Sequence, residues 1–271
     1  MELRRRWVVI TGGSSGIGAE TGAQIARLGN RVTLVADGAP RLVATANALR
    51  SEGLDVDHIR CDIGDQADVA GLLKLLLSQP TKPDALINNA GFGTYTPFAN
   101  ASAQEVERLL EVNLTGHVRL THGLIPAMVE RRSGAISFIA SLAGRLPITP
   151  NATYCAAKHG MLGLAQALRY EVRSLGVEVT AVCPGRVDTS FFDHPTFRER
   201  TRGPENKSSI PVDRAGRTII KALESARPVT YVPLSLGVAA WLYDTVPIIT
   251  RPLYGRMMKA RMERLYADLE R

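Results

Sequence analysis

Short apolar runs alternate with longer amphipathic stretches along most of the chain. An apolar run of this length is typical of a strand that is buried on both faces of a parallel sheet. The stretches between the runs repeat apolar residues at helical spacing. The runs that predict strands lie at residues 7–11, 31–36, 57–61, 85–87, 135–141 and 177–183. Strands that alternate with helices predict an α/β fold with a doubly wound parallel sheet.

The predicted helices lie between these strands. They run up to residue 28 and at 65–77, 102–131 and 151–174. Ser102 fits an N-cap, and Glu105 completes a capping-box pattern with it. Asn113 lies inside the same long helix, where an asparagine is unfavourable unless its amide has a task.

One edge of the predicted sheet collects polar and turn residues, because parallel strands all end on the same side. Ligands of open α/β sheets bind outside the carboxyl ends of the strands. The residues at these strand ends are Gly12, Asp37, Asp62, Asn88, Ser141 and Pro184. Their common position predicts one ligand site at this edge.

A glycine-rich turn, TGGSSGIG at 11–18, connects the first predicted strand to the helix after it. Glycines at such a turn let the backbone approach a pyrophosphate, which the helix N-terminus attracts. The spacing of Gly12, Gly16 and Gly18 differs from the Gly-x-Gly-x-x-Gly fingerprint, so the turn alone is weak evidence. Asp37 lies where an acid would bind an adenosine ribose, although it also fits a solvated turn residue before Pro40.

Tyr154 and Lys158 are four residues apart, so on a helix they share one face. An ammonium at roughly 4 Å would lower the pKa of the phenol from about 10 to about 7, into the range of a general acid or base. Ser141 ends a predicted strand and is placed to join them around one point. Taken alone, the pair also fits an ordinary amphipathic helix.

Taken together, these motifs resemble those of the short-chain dehydrogenase/reductase family over residues 6–232. The matching marks are TGGSSGIG at 11–18, Asp62, NNAG at 88–91, Asn113, Ser141, Tyr154-x-x-x-Lys158 and PGRVDT at 184–189. The resemblance implies a Rossmann-type catalytic domain at 1–232, followed by a C-terminal amphipathic helical extension at 233–271.

The resemblance also implies roles for individual residues. Tyr154 would be the general acid/base, Ser141 would hold the substrate carbonyl, and Lys158 would bind the nicotinamide ribose. Asn113 would keep a water in the proton relay. In the family, Asp62 meets the adenine, Asn88 the cofactor ribose and Thr189 the carboxamide. The implied cofactor contacts are Gly12, Ser14, Ser15, Gly16, Ile17, Gly18, Asp37, Asp62, Ile63, Asn88, Ala90, Gly91, Tyr154, Lys158, Pro184, Gly185, Val187 and Thr189.

The choice between NAD(H) and NADP(H) depends on the end of the second predicted strand. Many NADP-preferring relatives carry arginine where Asp37 stands, and NAD-preferring relatives usually carry an acid where Ala36 stands. A carboxylate at Asp37 would repel a 2′-phosphate, whereas Arg41 would compensate for it, and Ser15 supplies no positive charge. The sequence therefore favours NAD(H) over NADP(H).

Composition and charge limit the binding partners and the cellular compartment that we expect for this chain. The chain of 271 residues carries a formal net charge of +7, but its basic residues form no long run, so nucleic acid is not expected as a partner. The three cysteines are too few for a disulfide framework or a zinc site. His117, His122 and His159 have no metal-ligand spacing, so no metal is expected. The N-terminus does not read as a signal peptide, and a reducing cytoplasm is the expected location.

Three loops, at 92–98, 142–150 and 186–205, should form the substrate pocket. Its apolar residues predict a hydrophobic secondary alcohol or ketone that is lipid-, steroid- or acyl-like. These residues are Leu142, Leu146, Ile148, Phe191 and Phe192. Arg145 and His194 fit either contacts to a polar substrate end or solvated loop positions.

The chain after residue 232 permits two interpretations. Residues 234–249 are apolar but too short to cross a bilayer, and a basic amphipathic helix begins at Arg251. It would pack on the domain or a second subunit, or make a peripheral membrane contact. The helices at 102–131 and 151–174 predict a homodimer or homotetramer, with apolar positions at Val112, Leu120, Leu164 and Leu168.

Two classes of function fit the sequence. The first is an active NAD(P)-dependent oxidoreductase, which the complete Asn, Ser, Tyr and Lys set favours. The second is a non-catalytic dinucleotide-binding scaffold or redox sensor.

Overall fold

The computed structural model describes residues 2–193, 195–198 and 209–269, and a seven-stranded parallel sheet lies at its centre. The strands are β1 (Trp7–Thr11), β2 (Arg31–Ala36), β3 (Val56–Arg60), β4 (Ala85–Asn88), β5 (Gly134–Ile139), β6 (Val177–Pro184) and β7 (Val229–Val232). Their order across the sheet is β3-β2-β1-β4-β5-β6-β7. The strand order reverses at β1, which pairs with both β2 and β4. This arrangement confirms the predicted doubly wound α/β fold.

Helices cover both faces of the sheet. They are α1 (Gly16–Arg27), α2 (Ala39–Ser51), α3 (Gln66–Ser78), α4 (Ala103–Leu110), α5 (Gly116–Glu130), α6 (Ala152–Val172), α7 (Pro195–Arg198), α8 (Val212–Ser225), α9 (Leu234–Thr245) and α10 (Pro247–Leu269). Apolar residues separate into one buried layer beneath α1, α2 and α8 and another beneath α3, α5 and α6. Because both faces are covered, the strands are apolar at consecutive positions. The sequence pattern did not single out α2, α8 or β7.

The helix predicted at 102–131 is interrupted by a π-helical turn at Glu111–Thr115. Ser102 accepts a hydrogen bond from the backbone N–H of Glu105, as the capping pattern predicts. Within the π turn, the Asn113 amide donates to the carbonyl oxygens of Phe92 (2.9 Å) and Leu109 (3.1 Å). These bonds are the task of the amide, and they hold the 92–98 loop against the helix.

The two C-terminal helices pack onto the β7 side of the sheet. Asp244 of α9 forms an ion pair with Arg145 in the loop after β5. Thr149 lies 3.5 Å from the sulfur of Met258 on α10, and Leu265 is only 3% exposed. Helices α9 and α10 therefore contact the loops that surround the ligand edge. No helix in the described part of the chain is long and apolar enough to cross a membrane.

Candidate active site

A cavity of about 780 Å³ lies at the carboxyl edge of the sheet, where the strand ends predict it. It extends from β2 and β3 past the glycine turn to the N-terminus of α6. The predicted site residues that line it are Gly12, Ser14, Ser15, Gly16, Ile17, Asp37, Asp62, Ile63, Ala90, Gly91, Ser141, Tyr154, Lys158, Pro184, Gly185, Val187 and Thr189. One continuous cleft therefore joins the proposed cofactor and catalytic residues.

The glycine turn is fixed to the loop that follows β4. The Thr11 hydroxyl accepts hydrogen bonds from the backbone N–H groups of Asn89 (2.9 Å) and Ala90 (3.0 Å). The Asn89 amide donates back to the Thr11 carbonyl at 2.9 Å. Gly12 has φ of +68° and lies so close to this loop that a Cβ would approach the Asn89 amide to 2.7 Å. Only glycine fits there without strain.

Two predicted cofactor contacts do not reach the cleft. Gly18 is buried in α1, where a Cβ would lie 2.2 Å from the Gly12 carbonyl oxygen, so it serves close packing of the turn. Asn88 is fully buried, and its amide donates to Thr121 at 2.8 Å. Strand β4 includes Asn88, one residue beyond the predicted end, so its side chain occupies a sheet position facing α5. The side chain that the sequence overlooked is that of Asn89, which lines the cleft instead.

His117 supports the Asn88 side chain from α5. Its ring nitrogens lie 3.1 Å from Asn88 Oδ1 and 2.8 Å from the Ala90 carbonyl oxygen. Burial, with the charge of Lys158, lowers the pKa of His117 to about 3. The imidazole is therefore neutral at physiological pH, and its contacts with Asn88 and Ala90 give it a structural role.

Ser141 and Tyr154 face each other across the cleft. Ser141 Oγ accepts a hydrogen bond from the Ala143 backbone N–H at 3.1 Å, so its own O–H is the donor towards Tyr154. Burial raises the pKa of Tyr154, the hydrogen bond from Ser141 lowers it, and Cys155 raises it further. Because burial dominates, the phenol is protonated at neutral pH.

Lys158 lies beneath the Tyr154 ring with 3% of its surface exposed. Its Nζ is 5.5 Å from the ring centroid and donates to the Ile139 carbonyl oxygen at 3.1 Å. Burial lowers the pKa of Lys158 to about 8. The expectation that the lysine brings the Tyr154 pKa near neutrality is wrong for the protein alone, because burial of the phenol has the larger effect on its pKa.

Asn113 lies directly behind the cleft rather than in its lining. Its Oδ1 is buried and has no hydrogen-bond partner among the described residues. A Cβ on Gly91 would lie 2.5 Å from this oxygen and 3.6 Å from Lys158 Nζ. Gly91 therefore leaves the space between Asn113 and Lys158 open, as a bridging polar group would require.

The far end of the cleft contains the acids expected near an adenosine. Asp37 is exposed at the end of β2, and Arg41 does not line the cleft. Asp62 accepts from Arg108 at 2.7 Å and from the Gly64 N–H at 2.9 Å. The sequence did not identify Arg108, which lies 46 positions away from Asp62.

An aromatic wall borders the catalytic end. It consists of Tyr95, Phe191, Phe192 and Phe197, with ring centroids of neighbours 5.2 to 6.1 Å apart. Leu142 and Ile148 also line the cleft, as predicted, but Leu146 is buried beneath it.

The sequence predicts two polar residues for this region, Arg145 and His194. Arg145 is not simply solvated, because Asp244 holds it in an ion pair, and it is not among the residues that line the cleft. His194 falls outside the described residues.

The donors of the cleft fit a nicotinamide dinucleotide. Ser15 makes no side-chain cap to α1, so the N–H groups of this helix N-terminus remain available to a pyrophosphate. Lys158 uses one of its three N–H donors on Ile139 and lies 4.0 Å from Met161 Sδ, which leaves donors for ribose hydroxyls. Within the described ranges, no three His, Cys, Asp or Glu side chains group as a metal site.

Comparisons with known proteins agree with this geometry. The short chain dehydrogenase family model matches residues 6–198. A ketoacyl reductase of Nostoc is 30% identical over 82% of this chain and 77% of its own length. A very-long-chain 3-oxoacyl-CoA reductase of Ajellomyces capsulatus is 30% identical over 89% of this chain and 67% of its own.

A solved structure shares both the fold and part of the sequence. It is a short-chain dehydrogenase from Sphingobium yanoikuyae in complex with NADPH, with a TM-score of 0.80 and 32% identity over 92% of this chain and 95% of that one. The chain belongs to the short-chain dehydrogenase family and is an NAD(P)-dependent oxidoreductase.

Proposed function

We propose that the enzyme interconverts a secondary alcohol and a ketone on a hydrophobic, acyl-like substrate. One observation carries this proposal: Ser141, Tyr154 and Lys158 meet in a single cavity beside the aromatic wall. The same set gives no support to the alternative of a scaffold or redox sensor without turnover.

The arrangement of hydroxyl groups supports carbonyl reduction as follows. A substrate carbonyl oxygen between Ser141 and Tyr154 would accept a hydrogen bond from the serine and the proton of the phenol. When bound, the reduced nicotinamide supplies the hydride that forms the new C–H bond and leaves as the oxidised cofactor. The electron pair of the C=O π bond moves to the oxygen, which takes the proton of Tyr154 and forms the new O–H bond. The phenolate then regains a proton from solvent. Alcohol oxidation runs the same steps in reverse.

Lys158 and Asn113 would support proton return to Tyr154. The Lys158 ammonium beneath the ring stabilises a phenolate once it forms, and its remaining donors would orient a ribose. The free Oδ1 of Asn113 would hold a water between itself and Lys158. A chain of groups from solvent to the phenol would then be complete.

An acyl-like substrate is supported by the wall and by the names of the relatives. Aromatic side chains with few charges favour a long apolar chain. The relatives from Nostoc and Ajellomyces capsulatus are reductases of ketoacyl and 3-oxoacyl-CoA substrates, respectively. The test is turnover of a panel of acyl-chain ketones, steroids and small ketones. Faster reduction of small polar ketones than of acyl-chain ketones would contradict the proposal.

For the cofactor we propose a preference for NAD(H). Asp37 lines the rim of the cleft, and Arg41 does not line it. Its carboxylate would accept bonds from ribose hydroxyls and repel a 2′-phosphate. Fluorescence titration with NADH and NADPH tests the preference. Tighter binding of NADPH would show that the charge of Asp37 does not decide the choice.

A homodimer or homotetramer is also proposed. Val112 and Leu120 are buried in the core, so these two predicted contact positions are not available to a partner subunit. Leu164 and Leu168 of α6 are only partly buried, and Tyr170 on the same helix is 86% exposed. Light scattering at micromolar concentration would detect the assembly, and a monomeric mass would refute it.

Peripheral membrane contact through α9 and α10 is a further proposal for the extension at 233–271. Trp241 of α9 is 59% exposed, and Ile248 and Ile249 of α10 are 89% and 61% exposed. Exposed cations on α10, including Arg251 and Lys259, accompany these apolar residues. Apolar and basic groups together favour an anionic membrane surface. The sequence also predicts Arg261 as a headgroup contact, but its side chain lines the cleft.

Co-sedimentation with anionic and neutral vesicles at low and high salt tests the membrane contact. Binding to anionic vesicles that weakens with salt supports it. If the protein remains in the supernatant with anionic vesicles at low salt, the membrane contact is refuted and the exposed apolar residues of α9 and α10 are assigned to subunit contact.

A further inference from the structure

Helix α10 contributes one face to the substrate end of the cleft. Leu265 is buried against Tyr95 and Phe197, and Met262 packs beside them. Arg261 lines the same cavity as the catalytic residues. A helix outside the sheet therefore supplies a cation to the substrate site.

The Arg261 guanidinium is held in place by Tyr95. Its Nε donates to the Tyr95 hydroxyl at 3.2 Å, and its Cζ lies 5.3 Å from the centre of the Tyr95 ring. Among the described residues, no carboxylate forms an ion pair with Arg261. A guanidinium has five N–H donors, so the fork of this partly buried group has donors to spare.

The other cations that line the cleft have different surroundings. Arg108 is paired with Asp62, and Lys158 lies beneath Tyr154. Arg186 stacks on Phe192 at 3.9 Å but is exposed, so water solvates it. Arg261 thus combines partial burial, a fixed position and the absence of a described carboxylate partner.

We propose that Arg261 binds an anionic group of the substrate, at the end of an apolar chain that separates it from the reacting carbonyl. This inference rests on the proposed reduction of an acyl-like carbonyl and names its substrate class more closely. A carboxylate or phosphate ester would accept two parallel hydrogen bonds from the guanidinium.

The chain between the two ends would pass along the aromatic wall. Tyr154 lies 5.8 Å from Phe191, which lies 6.1 Å from Phe197. Phe197 lies 5.6 Å from Tyr95, which contacts Arg261. Two aromatic side chains therefore stand in the series of contacts that leads from Tyr154 to the Tyr95–Arg261 pair. We expect the substrate to carry several carbons between its carbonyl and its anion.

The test compares charged and neutral forms of one probe. The probes are a long-chain fatty acid with a ketone near its methyl end and the methyl ester of the same acid. The native enzyme should show kcat/KM at least about tenfold higher for the acid, since a charged hydrogen-bonded pair is the stronger contact. Arg261→Gln should remove that advantage, so that the ratio of kcat/KM for the acid to that for the ester falls at least about tenfold.

A matched variant and a conservative variant separate recognition from structure. Arg256→Gln alters an exposed cation on the same helix and should keep the native preference for the acid. Arg261→Lys should retain part of it. Equal loss for acid and ester in Arg261→Gln would assign Arg261 to support of Tyr95 and overturn the proposal. No preference for the acid in the native enzyme would also overturn it.

Equilibrium binding distinguishes this proposal from the proposed reaction. Acid and ester are titrated by calorimetry into native and Arg261→Gln protein saturated with NAD⁺, which cannot reduce either ketone. Tighter binding of the acid that depends on Arg261 supports the anion site even when neither probe is reduced. Turnover of other ketones without such a binding difference retains the proposed function and rejects the anion site.

Discussion

Arg145, four residues after Ser141, forms an ion pair with Asp244 of α9. The pair links the loop between Ser141 and Tyr154 to the helices that cover the substrate end of the cleft. Both side chains are roughly one-third exposed, so the interaction is worth up to about 1 kcal/mol. Its role is therefore to position the loop rather than to stabilise the fold.

Breaking this pair should affect substrate binding more than chemistry. We predict that Asp244→Asn raises KM up to about fivefold and changes kcat by less than about twofold. The control is Glu263→Gln, which removes the exposed Lys259–Glu263 pair on α10. Steady-state kinetics with an acyl-chain ketone measure both constants. A large fall in kcat with unchanged KM would contradict a positioning role.

Gly18 should tolerate no side chain, although it lies outside the cleft. A Cβ would meet the Gly12 carbonyl oxygen at 2.2 Å and force the nucleotide turn to move. We predict that Gly18→Ala weakens NADH binding by about tenfold or more. Gly71→Ala is the matched control, because a Cβ there meets nothing within 4 Å and α3 should gain up to about 1 kcal/mol. Native affinity in Gly18→Ala would show that the turn can relax.

The periodicity of apolar residues along the chain is sufficient to predict part of the fold and of the site. It identifies strand ends, because buried strands are apolar at consecutive positions and polar residues follow them. It placed Asn88 among the cofactor contacts, whereas the structure buries that side chain against Thr121 of α5. It could not find the contact of Arg261 with Tyr95, which joins residues 166 positions apart. Such contacts arise from packing of whole elements, and no local pattern encodes them.

Lys158 should reduce stability while it supports catalysis. Its folded pKa of about 8 lies below the ordinary value of 10.5, so the unfolded chain binds the extra proton between these values. Stability should therefore rise with pH from about 8 to about 10.5, and the buried ammonium costs about 3 kcal/mol below that window.

Lys158→Met removes that cost along with the hydrogen bond to Ile139. We predict a variant with little activity and a higher free energy of unfolding near pH 7, by less than about 3 kcal/mol. The gain should shrink as the pH rises towards 10. Urea unfolding at several pH values measures it. A variant that is less stable at every pH would mean that the ammonium is well solvated.

The two reaction directions should differ in pH dependence. Because burial raises the pKa of Tyr154, the proton donor for ketone reduction is present throughout the neutral range. Alcohol oxidation needs the phenolate, so its rate should rise with pH, by up to about tenfold per pH unit. Initial rates in both directions test this, with circular dichroism as a control for folding. An oxidation rate that stays flat through the neutral range would show that another group takes the proton.

The most direct test of the account is the turnover of Tyr154→Phe. Removing the phenol hydroxyl should lower kcat for ketone reduction at least about a hundredfold, while the dissociation constant of NADH stays near its native value. Tyr170→Phe, on the same helix but 86% exposed, should keep native activity. Near-native turnover by Tyr154→Phe would contradict the assignment of Tyr154 as the proton donor.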